Sequence, residues 1–112
     1  MAYDERLAER IRKTFVAQRV RVKEKKMFGG LCFMVKDKMC IGIVKDELMA
    51  RIDPDIYEDA LTRKGCREMM FSGRAMKGFV FVDETGIGTD KSLGEWIRLA
   101  LKFNPKAKSS KK

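Results

Sequence analysis

The sequence predicts a two-layer α+β sandwich in α-β-β-β-α-β-β-α order, with helices packed on an antiparallel sheet. Three observations predict it. Helical and strand-like periodicities alternate along the 112 residues. Turns too short for any crossover join the strand-like runs, which makes neighbouring strands antiparallel. The helical segments are apolar on one side only, so each buries a single face against the sheet. With 45% hydrophobic residues and only two prolines, the chain suits one domain over residues 1–105, followed by a flexible basic tail over 106–112.

Tyr3, Leu7, Ile11 and Phe15 recur every four residues, and Ala8 widens their stripe, so residues 3 to about 18 read as an amphipathic helix with a basic polar face. From Arg19 the pattern turns strand-like, up to a bend or close backbone contact at Gly29-Gly30. Residues 31–35 and 39–44 are apolar runs around Lys36-Asp37-Lys38, a hairpin signal. After a turn at Lys45-Asp46-Glu47, Leu48, Ala50 and Ile52 alternate along a third strand of the meander. Asp53-Pro54 starts a short helix, with Asp as N-cap and Pro at the first helical position, and Lys64-Gly65 stops it. Residues 66–71 and 78–83 are two more strands around Ser72-Gly73-Arg74. Gly86-Ile87-Gly88 reads as a loop without a ligand, because the third glycine and the parallel βαβ setting of a dinucleotide site are absent. The last helix opens near Ser92, in capping-box spacing with Glu95, buries Leu93, Trp96, Ile97, Ala100 and Leu101, and ends at Asn104-Pro105.

One feature conflicts with a simple two-layer sandwich. Residues 31–35 and 39–44 are apolar at nearly every position, whereas a sheet with one wet face alternates. Something is expected to cover the second face: the first helix, an extra internal segment or a second copy of the chain, with a homodimer the favoured account.

Composition narrows the chemistry. There is no histidine, so Cys32, Cys40 and Cys66 lack the usual activating base. Their spacing builds neither a C-x-x-C pair nor a disulfide framework, and they read as small buried residues of a reducing compartment. A zinc site of three thiolates and a carboxylate is the minor alternative. Asp37, Asp46, Asp53 and Asp83 fall at turns or a cap, which explains them without catalysis. No catalytic, cofactor-binding or metal-ligating set is expected. No apolar run is long enough to span a bilayer and the N-terminus is charged, so the expected location is cytoplasmic, with no membrane partner.

The net charge of +9 is unevenly distributed. Residues 10–26 hold eight basic side chains against Glu24, and residues 102–112 add five lysines without an acid, leaving the remainder slightly acidic. Clustered cations of this kind attract nucleic acid or another polyanion. The candidate contacts are Arg12, Arg19, Arg21, Lys23, Lys25 and Lys26, with Arg74 and Lys77 beside the aromatic run Phe79–Phe81. Phe79 and Phe81 share a strand face suited to base stacking, although core packing is the commoner fate of such a pair. The two adjacent glycines beside Lys25 and Lys26 have the makings of an anion nest, with a structural turn the better reading. The methionines scattered through the strands read mostly as core or dimer contacts.

Lys26-Met27-Phe28-Gly29-Gly30, the strand pair ending in Val44-Lys45-Asp46-Glu47-Leu48, Met76-Lys77-Gly78-Phe79 and Trp96 together resemble the N-terminal domain of the TfoX/Sxy family of competence regulators, over roughly residues 5 to 105. The motif residues are Met27, Phe28, Gly29, Gly30, Gly78 and Trp96. The resemblance implies the α-β-β-β-α-β-β-α sandwich, similar to secretion chaperones, in a bacterial regulatory protein without enzymatic activity or cofactor. Family members that control DNA uptake act with a cyclic-AMP receptor protein at promoters and continue into a second, helical domain; this sequence ends before that domain. The expectation is a stand-alone, non-enzymatic interaction module working through protein partners in transcriptional, competence-type regulation. The alternative is direct nucleic-acid binding through the basic helix face and the tail.

Overall fold

The structure, a computed structural model, describes residues 3–27, 30–71 and 73–106. Helix α1 (Glu5–Ala17) opens at Asp4, whose carboxylate accepts from the backbone N–H groups of Arg6 and Leu7, as an N-cap should. Four strands follow: β1 (Lys23–Met27), β2 (Gly30–Val35), β3 (Lys38–Val44) and β4 (Glu47–Arg51). A 3₁₀ turn (Pro54–Ile56), capped by Asp53, leads into α2 (Tyr57–Leu61). The hairpin of β5 (Cys66–Phe71) and β6 (Arg74–Val82) comes next, then the short α3 (Glu84–Ile87) and α4 (Asp90–Phe103). The six strands form one antiparallel sheet in the order β1-β2-β3-β4-β6-β5.

The two-layer α+β arrangement is the expected one, with four differences in detail. First, β1 adds a strand to the expected meander. Its sequence, Lys-Glu-Lys-Lys-Met, carries no apolar alternation, because it lies at the sheet edge, where lysines deter pairing with another chain. Second, β6 begins at Arg74, earlier than expected. Gly78 at φ +94°, accepting from the Ile52 N–H at 2.7 Å, absorbs an irregularity that hides the alternation. Third, the segment around Gly86 is a helical turn, α3, capped by Asp83. Fourth, α4 starts a turn before Ser92. Thr89 is its N-cap, and Ser92 closes a reciprocal capping box in the role expected of Glu95.

The register separates the sheet into two faces. On one face, Leu31, Ile43, Leu48, Val82 and Cys66 form a row across five strands. A parallel row runs Glu24, Phe33, Ile41, Ala50, Val80 and Glu68. The apolar centres of these rows join Leu7, Ile11 and Phe15 of α1, Ala60 of α2, Ile87 of α3, and Leu93, Trp96 and Ile97 of α4 in one buried cluster. The Phe15 and Phe33 rings meet with centroids 6.0 Å apart. Each fully buried Leu, Ile or Phe here contributes about 2 kcal/mol. All four helices therefore lie on the same side. Helix α1 does not cover the second face, because its apolar stripe is already spent on the first. Gly30 is fixed by close approach: a Cβ there would lie 1.9 Å from the Ile43 carbonyl oxygen. No helix among the described residues is long and apolar enough to cross a membrane.

Candidate functional site

The second face of the sheet is the site that the helices leave open. Its central row runs Lys25, Cys32, Gly42, Met49, Phe81 and Arg67, one residue from each strand. Beside it, Arg51 stands opposite Phe79. The middle is apolar and tightly packed although no helix lies on it. Cys32 is 1% exposed and Met49 3%, and the Met49 methyl sits where a Cβ on Gly42 would be, so Gly42 makes the room that Met49 fills. Cys32 Sγ lies 3.5 Å from the sulfur of Met34, two residues along the same strand.

Phe79 and Phe81 are half-buried on this open face and do not join the helix-side core. The Arg51 guanidinium stands 5.3 Å from the Phe79 centroid, and that of Arg67 5.0 Å from Phe81. Arg67 also pairs with Glu47. Charges thus frame an apolar centre: Lys25 on one side, Arg51 and the Arg67–Glu47 pair on the other.

The thiols are chemically quiet. Burial pushes Cys32 and Cys66 up to about 11, and Cys40 up to about 12, with the neighbouring Cys32 adding to the Cys40 shift. At neutral pH all three are protonated and poorly nucleophilic. Among the described residues, no three side chains of the His, Cys, Asp and Glu types converge as metal ligands would.

The expected basic contacts do not form one patch. Arg12 is held within the fold, its guanidinium donating twice to Glu24 at 2.7 Å, with Glu9 at 3.9 Å. That contact raises the arginine further and lowers Glu24, as a bidentate pair should. Arg10 is likewise committed, donating to the Ile87 carbonyl at 2.8 Å and to Asp90 at 3.3 Å. The basic face of α1 is therefore partly neutralised by its own molecule. Arg19, Arg21 and Lys23 gather instead with Lys36 around a cleft of about 650 Å³ at one end of the sheet. Lys25 and Lys26 lie along the β1 edge, opposite Cys32 and Leu31. Arg74 and Lys77 are exposed on β6, four strand spacings, or roughly 19 Å, from β1. Most of the tail, residues 107–112, lies outside the described residues, as do Phe28 and Gly29.

Lys36, Arg51 and Arg67 escaped the sequence reading. Arg51 and Arg67 share the alternate strand positions with Met49 and Phe81, but that alternation becomes visible only when the register is known. Lys36 occupies a two-residue hairpin loop, where a charged residue ordinarily means no more than solvent exposure.

Residues 14–104 match the family description TfoX N-terminal domain. The chain belongs to this family. No curated protein and no solved structure matches it. Within this TfoX N-terminal domain, the motif residues have mainly architectural places. Met27 ends β1 opposite Gly30, which admits the Ile43 carbonyl, and Gly78 carries the β6 irregularity at positive φ. Trp96 is buried between α4 and the sheet, with the Arg63 guanidinium 5.6 Å from its ring.

Proposed function

We propose that this TfoX N-terminal domain is a non-enzymatic interaction module of transcriptional, competence-type regulation, and that it binds a protein partner through the helix-free sheet face. One observation carries the reading: on the sheet face that no described helix covers, Phe79 and Phe81 are left half-buried beside the packed Cys32 and Met49. Partly exposed aromatic rings framed by charge are a usual mark of a protein contact. The family supports a regulatory role, and the protonated, desolvated thiols fit a chain that does no covalent chemistry.

The charges of the rim bear on the kind of partner. A second copy laid face to face sets Lys25 over Lys25, or over an Arg67 already paired with Glu47. A different protein, bringing acidic groups around an apolar ridge, fits better, and the homodimer is the second arrangement. Phe81→Glu tests both. Sedimentation of the parent at rising concentration, and affinity capture of a partner followed by its purification, should each be compared with the variant after circular dichroism shows the fold retained. The reading expects a defined partner, or a dimer, that Phe81→Glu reduces at least tenfold. Equal binding by parent and variant would sink it.

A further inference from the structure

The cleft at the end of the sheet lies between the segment that leaves α1 and the β2–β3 turn. Its cations are Arg19, Arg21, Lys23 and Lys36, and among the described residues Asp37 is the only acid lining it. Among the described residues none of the four cations forms an ion pair, unlike Arg10 and Arg12 a few residues away. Val20, Val22 and Val35 supply an apolar wall, Val35 being buried and the other two packed against the core. A cleft of about 650 Å³ is in the range that holds a small organic ligand.

The backbone points to the same place by an independent route. Among the described residues, four non-glycine residues have positive φ: Arg19 (59°), Lys36 (53°), Asp37 (63°) and Lys45 (58°). Three of them line this cleft. Arg19 stands where α1 ends in a Schellman motif: the Val20 N–H bonds to the Phe15 carbonyl and the Arg19 N–H to that of Val16, both at 3.0 Å. Helices usually place glycine there, because the left-handed conformation crowds a Cβ. Lys36 and Asp37 hold the two central positions of a hairpin loop, both left-handed, where Asn-Gly is the favoured pair. Charged residues therefore occupy positions where glycine or asparagine folds more easily, and they do so around one cleft. Strain concentrated in this way marks a functional site when it clusters.

We infer that the cleft binds a nucleoside phosphate, either free or as part of a single strand, with its phosphates on Arg19, Arg21, Lys23 and Lys36 and its flat apolar portion against the valine wall. Four cations against one carboxylate call for two or three negative charges in a small volume. Phosphates supply that density, and the forked donors of arginine match their oxygens. The inference stands apart from the proposed protein contact, since the cleft does not include the centre of the open sheet face.

The test uses the full chain with four probes: ATP, adenosine, inorganic tripolyphosphate and a fluorescein-labelled single-stranded eight-nucleotide oligomer. Calorimetry reads the first three and anisotropy the last, across a salt series. ATP or the oligomer should bind more tightly than adenosine or tripolyphosphate. For the oligomer, log affinity should fall against log salt with a slope of about −3, four contacts at about −0.7 each. The pair Arg19→Glu with Arg21→Glu should lower affinity at least tenfold. Arg19→Gly separates function from folding: it should weaken binding several-fold while the melting temperature stays level or rises. Phe81→Glu and removal of residues 107–112 should leave the probes bound as before. ATP against the oligomer tells a free ligand from a strand. Failure of both to bind near 0.1 M salt, tripolyphosphate matching ATP, unchanged affinity in the arginine variants, or loss of binding with residues 107–112 would each overturn the inference.

Discussion

Cys32 and Cys40 show how a side chain's surroundings set its chemistry. Both are buried, and burial penalises the thiolate, so their folded pKa values of about 11 and 12 lie above the ordinary value of 9.0. A raised folded pKa means that the stabilising effect is complete below pH 9 and is lost as pH rises through the interval up to 11–12, where the unfolded chain releases protons that the native state retains. The unfolding free energy measured in urea should therefore fall between pH 8.5 and 10.5, by on the order of 4 kcal/mol for the two thiols together. Lysines and tyrosines ionise in the same range, so the decisive comparison is with Cys40→Ala, whose decline should be visibly shallower. An identical pH profile in that variant would show that the thiol does not contribute. The same shifts keep these cysteines from acting as nucleophiles at neutral pH, which joins the stability argument to the functional one.

At the scale of elements, local rules worked where local forces dominate. Asp4, Asp53 and Thr89 each cap a helical segment through a side-chain oxygen. Thr89→Ala should cost about 1 kcal/mol, read from urea denaturation, because it opens one half of the capping box on the longest helix. A variant as stable as the parent would place the end of α4 under tertiary control. Helix α1, the hairpins around Lys36-Asp37 and Gly73, and the α4 stripe were legible in the sequence because their periodicities are set by burial on one side. Strand β1 was only partly legible: its lysines conceal a strand whose pairing is supplied entirely by β2. The candidate site was less legible still. Arg12 and Arg19 look equivalent in sequence, yet Glu24 reaches Arg12 across the first connection while Arg19 is left at a cleft. That difference is fixed by tertiary geometry, as is the placing of Phe79 and Phe81 on the open face rather than in the core.

The whole molecule distributes its charge and its apolar surface to different places. The helices shield one side of the sheet, the other side shows an apolar centre under Arg51 and Arg67, and a group of four cations gathers at a separate end. The strand order has one further consequence, for the way the domain assembles. In β1-β2-β3-β4-β6-β5 every pairing but one joins consecutive strands, and the exception, β4 with β6, lies inside the sheet. Two locally zipped halves, a four-strand meander and a hairpin, are thus sewn together along a single seam from Leu48–Val82 to Arg51–Phe79. Loop-closure entropy makes that seam the late step of folding. In stopped-flow kinetics, Val80→Ala should mainly speed unfolding, whereas Ile41→Val within the meander should mainly slow folding. If Val80→Ala slowed folding as much as Ile41→Val, the seam would form early. Otherwise the domain is a meander and a hairpin with one stitch between them, and its kinetic lifetime is the lifetime of that stitch.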